Sequence, residues 1–176
     1  ANIARYLASV GVTSYLGTTM AMKKPVLLNM VRSANEFMDN PVEDGAVMRG
    51  INLEGPFAAV EKKGAMDPNN LIDPDYDFFV KLNEACGGRI RINDVAPEKP
   101  GALDFIARTS EVCVVSLHHT SADYDLAKKA FMLGASHVTH LYNAMNGFSH
   151  RAPGLIGAAA DLASSVELIS DGHHVH

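Results

Sequence analysis

Several residue types that mark particular protein classes are scarce or absent in this chain. Its 176 residues contain no tryptophan and only two cysteines, Cys86 and Cys113. Two thiols in a chain of this size fit a reducing compartment better than a disulfide framework, so we expect a cytoplasmic protein with both cysteines in its core. No apolar run approaches the ~20 residues that span a bilayer, and we therefore expect no membrane contact.

Positive charge is limited as well. The chain has 15 Lys and Arg residues against 20 Asp and Glu residues, for a formal net charge of −5, and it has no basic cluster. Nucleic acid is therefore disfavoured as a partner, whereas a small anion needs only one or two local cations.

The Gly-x-Gly-x-x-Gly turn is also missing after the first strand-like run, which disfavours a dinucleotide-binding sheet.

What the chain does contain is a regular alternation of strand-like and helical patterns. Strands are predicted at 12–16, 47–54, 90–95, 112–117, 138–141 and 166–170, and helices at 3–10, 25–38, 76–86, 100–109, 121–133 and shortly after 152–158. Such alternation implies an α/β fold with a parallel sheet and helices outside it. An open doubly wound sheet and a (β/α)8 barrel both fit. In the second case the chain supplies about six of eight βα units.

Three residues that can bind metal stand at the C-terminal ends of predicted strands: Glu54, His119 and His140. In α/β proteins this end of the sheet carries the chemistry. Two imidazoles and one carboxylate suit Zn²⁺ and leave a fourth position for water or substrate, and iron or another divalent cation accepts the same set. A hydrogen-bonded core histidine or a buried ion pair is the competing interpretation for each residue alone. Their equivalent places in successive βα units favour a shared site.

Strand geometry separates the neighbouring histidines from these candidates. Adjacent residues of a strand point to opposite faces, so at most one of His118 and His119 can face a barrel mouth. His137 lies three residues before His140. We therefore expect His137 on the outer face of the sheet, against a helix or in solvent.

Further polar residues follow the predicted strands in loops. Asn143 could hydrogen-bond a substrate, although asparagine is also a common turn former. Arg151 carries a planar, permanent charge that suits an anion, although a lone loop arginine is usually only solvated. Asp171 could act as a general base and His174 as a substrate donor or base. The competing interpretation of these last two residues is a tight turn with exposed histidines.

Six short strings, spread over most of residues 12–175, support a more specific interpretation. They are Leu53-Glu54-Gly55-Pro56-Phe57, Lys62-Lys63-Gly64-Ala65, Ala96-Pro97-Glu98, Thr139-His140-Leu141-Tyr142-Asn143-Ala144-Met145, Arg151-Ala152-Pro153-Gly154-Leu155 and Asp171-Gly172-His173-His174-Val175. In content, order and spacing the chain resembles the N-acetylglucosamine-6-phosphate deacetylases of the amidohydrolase superfamily. The resemblance implies a TIM-type barrel of the metal-dependent hydrolase type that removes acetate from N-acetylglucosamine 6-phosphate in amino-sugar catabolism.

Carried over by position, the resemblance also implies roles for individual residues. The divalent metal, zinc or alternatively iron, is expected on Glu54, His119 and His140. Substrate contacts are expected from Ala65, Asn143, Ala144, Arg151, Asp171 and His174. In this family the arginine often reaches the sugar phosphate across a subunit interface, so the resemblance implies a homodimer for the full-length protein.

The chain departs from the family pattern at one internal position. Met66 stands where the Lys-Lys-Gly-x-His pattern has its histidine, and a thioether cannot donate a hydrogen bond. The family's acid/base aspartate is expected beyond His176, and its early His-x-His strand before Ala1. We therefore expect residues 1–176 to be a single incomplete catalytic barrel domain, truncated at both ends and inactive alone. The alternatives are a non-catalytic sugar-phosphate-binding relative, which Met66 supports, and an amidohydrolase for another N-acyl sugar.

Overall fold

Six parallel strands form one sheet in which every strand pairs with the next strand along the chain. The strands are β1 (Ser14–Thr18), β2 (Val47–Leu53), β3 (Ile90–Val95), β4 (Val114–Leu117), β5 (Ala135–Val138) and β6 (Ser165–Val166) in the computed structural model, which describes residues 1–176. All five strand pairs are parallel. This sequential order is that of a (β/α)8 barrel. A doubly wound sheet would reverse its strand order at a switch point, so that alternative is wrong.

Helices alternate with the strands, as predicted, but the last helix begins at Gly154, inside the 152–158 stretch that the sequence placed in a loop. They are α1 (Asn2–Ser9), α2 (Lys24–Asp39), α3 (Tyr76–Ala85), α4 (Ala102–Thr109), α5 (Tyr124–Met132) and α6 (Gly154–Leu162), with 3-10 turns at Val60–Lys62 and Pro68–Asn70. Aspartates cap two of the helices. Asp75 accepts a hydrogen bond from the Phe78 amide, and Asp123 accepts one from the Leu126 amide. Such caps satisfy amides that the first helical turn leaves without partners. No helix combines the length and apolar character that a bilayer crossing requires.

The two faces of the sheet differ in chemistry. Val115 and Leu117 of β4 are fully buried in one continuous apolar cluster that also includes residues of α2 to α6. Because alternate strand residues point to opposite faces, Ser116 lies on the inner face. Its hydroxyl contacts Thr139, and Thr139 in turn contacts Asp94. The hydrophobic core therefore lies between sheet and helices, while the concave side of this partial TIM-type barrel carries polar groups.

Some predicted boundaries were wrong. The β1 strand continues through Gly17 and Thr18, which the sequence placed in a loop, because both residues pair with β2. The β5 strand spans Ala135–Val138 rather than 138–141, so Thr139 and His140 follow it. The β6 strand has only two residues, although the apolar sequence predicted a strand over 166–170. The ladder between β5 and β6 stops at Val166 because its partner Val138 is the last residue of β5.

The predicted orientation of His137 was also wrong. His137 belongs to β5 and is paired in register with Ser116, whose side chain lies on the inner face. The His137 ring is buried, its Nδ1 lies 2.8 Å from Ser165 Oγ, and its Nε2 lies 3.4 Å from a Glu167 oxygen. His137 and Thr139 are two residues apart and share the inner face, whereas His140 lies beyond β5 with a φ of 38°, so strand alternation does not extend to it.

Candidate metal centre

Glu54, His119 and His140 meet at one rim of the sheet, as the sequence predicted. Each offers one ligand atom, and these atoms all lie within 4.8 Å of one another. The Nε2 atoms of His119 and His140 lie 3.5 and 3.7 Å from the same oxygen of Glu54. Each residue follows the C-terminal end of its strand. The parallel sheet therefore brings together groups that are far apart in the chain.

The backbone at this rim is unusual at both histidines. His119 has a φ of 39° and His140 a φ of 38°, and Tyr142 and Ala144 in the next loop also have positive φ values. Non-glycine residues rarely adopt this conformation, which costs on the order of 1–3 kcal/mol and clusters at functional sites. The turn at His119 also breaks the alternation of β4. In consequence the ring centroids of His118 and His119 lie only 4.9 Å apart.

The loop after β2 orients His119. Its Nδ1 lies 2.6 Å from the carbonyl oxygen of Lys62, and the amide of Ala59 donates to the His119 carbonyl. Because a carbonyl can only accept, Nδ1 carries a proton, and Nε2 is the nitrogen that faces Glu54 and can bind a cation. Histidines that bind metals are commonly held by such an outer hydrogen bond. Gly64 of the same loop packs close to the ring, since a Cβ there would lie 3.1 Å from His119 Cε1.

The donor set fits a divalent cation. Neither ring nitrogen of His140 has a hydrogen-bond partner, although both are buried. Burial raises the pKa of Glu54, but the imidazoles of His119 and His140 outweigh it and lower that pKa to about 2. Glu54 is therefore ionised at neutral pH. One carboxylate oxygen and two imidazole nitrogens are ligands that Zn²⁺ and iron accept.

A polar network below the rim was missed by the sequence analysis. Thr139 donates to Asp94 at 3.0 Å and lies 2.8 Å from the Ser116 hydroxyl, and all three side chains are buried. Burial raises the pKa of Asp94 well above its usual value, and the negative charge of Glu54 raises it further. The one sequence signal for this network is a single polar residue within an otherwise apolar strand, such as Ser116 in β4.

The metal-capable rim opens into a cavity. The cavity has a volume of about 410 Å³ and is lined by Leu16, Thr18, Asn52, Glu54, Thr139, His140, Glu167 and Ile169. A volume of this size is typical of small-molecule sites. A small molecule in this cavity would contact Glu54 and His140.

The loop after His140 contains two of the predicted substrate residues. The Asn143 amide donates to the His140 carbonyl, and the Asn143 side chain donates to Leu141. The carbonyl of Ala144 accepts a hydrogen bond from the Thr120 amide, which ties this loop to the one that carries His119. Ala65 is exposed in the loop that covers His119. Asn143 and Ala144 are thus rigidly attached to the rim.

The structure does not bring the other predicted substrate residues to Glu54. Arg151 is exposed and lines a separate cavity of about 390 Å³. Asp171 accepts hydrogen bonds from the amides of His173 and His174, and its carboxylate lies 2.6 Å from His174 Nδ1. The amide of His174, then that of His173, lowers the pKa of Asp171 to about 2. Such a carboxylate is a weak base, and this segment forms the tight, exposed turn that was the competing interpretation.

Met66 is buried and Glu98 is half-buried, and each contacts neighbouring groups of the protein. Met66 packs in a small apolar cluster with Ala21 and Ala58. Glu98 accepts hydrogen bonds from the Thr120 hydroxyl and from the amide and hydroxyl of Ser121. Glu98 thereby ties the loop after β3 to the loop after β4, and it supports the turn in which His119 lies.

Comparison with known proteins identifies the family of this chain. The chain is 37% identical to an N-acetylglucosamine-6-phosphate deacetylase of Bacillus subtilis (strain 168) over 174 residues, which cover 97% of this chain and 44% of the relative. It is 34% identical to an N-acetylgalactosamine-6-phosphate deacetylase of Escherichia coli O157:H7, covering 99% of this chain and 46% of the relative. No protein-family model matches.

Solved structures agree with the sequence comparison. A mutant N-acetyl-D-glucosamine-6-phosphate deacetylase from Mycobacterium smegmatis, in complex with N-acetyl-D-glucosamine-6-phosphate, superposes with a TM-score of 0.87 at 32% identity. The superposition covers 94% of this chain and 42% of that one. The chain is therefore a homologue of the N-acetylglucosamine-6-phosphate deacetylases and spans a little under half of their length.

Proposed function

We propose that the intact protein is a metal-dependent amide hydrolase that removes acetate from N-acetylglucosamine 6-phosphate in amino-sugar catabolism. The observation that carries this proposal is the convergence of Glu54, His119 and His140 within 4.8 Å of one another. The similarity to deacetylases over 97% of this chain supports the substrate class. Residues 1–176 are proposed to form one incomplete catalytic barrel domain, because they share a single sheet.

Glu54, His119 and His140 are proposed to hold the cation, with Zn²⁺ as the preferred ion and iron as the alternative. A bound divalent cation would supply Lewis acidity, which polarises an amide carbonyl and acidifies water. Glu54 contributes a full negative charge, because its pKa is about 2. His119 would contribute Nε2, because the contact between Nδ1 and the Lys62 carbonyl turns Nε2 toward Glu54. Thr139 and Asp94 support the inner wall of the adjoining cavity.

The substrate-side residues are proposed to be Ala65, Asn143, Ala144, Arg151, Asp171 and His174. Asn143 and Ala144 are suited to contact the amino sugar because their loop is attached to the rim. His174 is held by Asp171 at 2.6 Å, which leaves its Nε2 free for a substrate oxygen. Arg151 lies in a cavity separate from the one that contains Glu54. A phosphate contact from Arg151 therefore fits best in a homodimer, where it would serve the site of a second subunit.

A cytoplasmic location is proposed as well, because Cys86 and Cys113 are both free thiols.

The relatives are named for two sugars, N-acetylglucosamine and N-acetylgalactosamine, which are epimers at one carbon. Which of the two this protein accepts is the finer part of the proposal. Assays with both N-acetylglucosamine 6-phosphate and N-acetylgalactosamine 6-phosphate distinguish the two.

The proposal is tested by metal analysis and deacetylase assay of the intact protein, compared with its His140→Ala variant. We expect the variant to lose bound metal and to lose more activity than the ~100-fold that an outer-sphere change typically costs. His150→Ala removes an exposed histidine and should retain both metal and activity. Wild-type turnover in the His140→Ala variant would refute the proposed role of the metal centre.

A further inference from the structure

His118 is the one fully buried histidine of the rim, and the mechanism above does not use it. Its side chain has no exposed surface, and neither of its ring nitrogens has a hydrogen-bond partner. Leaving a buried donor or acceptor without a partner costs on the order of 1–3 kcal/mol. Buried polar groups are almost always paired, so an unpaired imidazole in a protein interior points to a partner of another kind.

The surroundings of His118 indicate what that partner is. Its ring lies edge to face against His119, with centroids 4.9 Å apart, and 6.3 Å from the ring of His140. The carboxylate of Glu54 lies beside His119 and His140. The Val95 carbonyl lies near the ring, but no carbonyl or hydroxyl makes a well-formed hydrogen bond to either nitrogen of His118. A neutral imidazole that has no hydrogen bonds can still use a ring lone pair to bind a cation.

The spacing of the rings is consistent with a shared ion. With a nitrogen–zinc distance of about 2 Å, two imidazoles on one ion have centroids roughly 5 Å apart. The rings of His119 and His140 are 4.7 Å apart, and those of His118 and His119 are 4.9 Å apart. Only the 6.3 Å between His118 and His140 is longer. The nitrogens of His118 also fall outside the 4.8 Å ligand set, so coordination requires the His118 ring to turn or shift by about an ångström.

We propose that His118 is an additional nitrogen ligand at this centre, and that its ring turns toward the ion when a divalent cation binds. The inference rests on the proposed metal site and extends it from three protein ligands to four. Room for a water or a substrate oxygen then requires five-coordination, which catalytic zinc sites adopt in some states. The expected consequence is tighter metal binding than two imidazoles and one carboxylate provide.

The test compares the intact wild-type protein with its His118→Phe variant, in which a ring of similar shape cannot bind metal. Both proteins are stripped with a chelator and reloaded with Zn²⁺. X-ray absorption at the zinc edge should show one imidazole fewer in the variant. Competition with a chromophoric chelator should show Zn²⁺ binding weakened by more than the ~10–100-fold that loss of an outer-shell partner typically costs. The rise in melting temperature on adding Zn²⁺ should shrink. His150→Phe makes the same exchange at an exposed histidine and should match the wild type.

An unchanged imidazole count together with unchanged Zn²⁺ affinity in His118→Phe would overturn the inference and show that the ring only fills space. Because the imidazole has no hydrogen-bond partner, the metal-free variant should be at least as stable as the metal-free wild type. If the phenyl ring of His118→Phe prevents folding, the same three measurements are made on His118→Asn instead. Loss of zinc in His140→Ala, together with an unchanged Zn²⁺ affinity and imidazole count in His118→Phe, refutes this inference alone. Absence of zinc from the reloaded wild type refutes the proposed function with it.

Discussion

The Thr139→Val variant tests whether the polar network on the inner face supports the fold. Valine keeps the shape of threonine but replaces the hydroxyl with a methyl group. That hydroxyl donates to Asp94 at 3.0 Å and lies 2.8 Å from the Ser116 hydroxyl, and both partners are fully buried. The substitution therefore leaves two buried polar groups each short of one partner, and it creates almost no cavity.

The magnitude follows from the number of partners that are lost. A buried polar group left unsatisfied costs on the order of 1–3 kcal/mol, more if it is charged. Ser116 can rotate its hydroxyl toward another acceptor, whereas the second oxygen of Asp94 already lacks a partner. We therefore expect Thr139→Val to lower the free energy of unfolding by about 2–4 kcal/mol.

Urea denaturation of the intact protein, followed by circular dichroism, measures this loss as a shift of the unfolding midpoint. Thr139→Ser is the matched control, because it keeps the hydroxyl and removes one methyl group. The serine variant should lose only about 1 kcal/mol. If the valine variant is as stable as the serine variant or more so, the two hydrogen bonds contribute nothing and the reasoning is wrong.

Three further predictions concern residues around the rim. Burial raises the pKa of Asp94, so folding takes up a proton above about pH 4, and stability falls by up to about 1.4 kcal/mol per pH unit as pH rises toward the raised pKa. Asp94→Asn should flatten that slope in urea titrations at several pH values, and an unchanged slope would exclude Asp94 as its source. Gly64→Ala places a Cβ 3.1 Å from His119 Cε1 at a φ of +56°, so we expect a loss of about 1–2 kcal/mol and weaker Zn²⁺ binding by chelator competition. Equal affinity would show that the His119 ring tolerates the contact. Glu98→Ala leaves the buried Thr120 hydroxyl without its acceptor and should cost roughly 1–3 kcal/mol by urea denaturation. Glu84→Ala, at an exposed carboxylate, is its control and should unfold like the wild type.

Local sequence patterns predicted the elements with the strongest hydrophobic period. The strand predicted at 90–95 has the same bounds as β3, and the helix predicted from residue 76 begins at Tyr76 after the capping Asp75. These elements depend on periodicity and capping, which act over a few residues. Prediction failed for β5 and β6, because their bounds depend on pairing with neighbouring strands.

The meeting of Glu54, His119 and His140 could be inferred from the sequence because it depends only on topology. Residues that follow parallel strands gather at one rim, whatever the intervening helices are. The meeting of these residues depends on the order of the elements but not on side-chain packing. The prediction was therefore correct although the predicted bounds of β5 were wrong by three residues.

Tertiary structure alone decided which other groups share that rim and the inner face. The turn at His119, with its φ of 39°, brings His118 beside the ligands, although strand alternation predicted opposite faces. The contact between Thr139 and Asp94 joins residues 45 positions apart. These side chains meet only because the sheet is curved and the backbone makes a left-handed turn. Such contacts leave no periodic signal in the sequence, because periodicity reflects the neighbours of a residue along its own strand or helix and not those across the barrel.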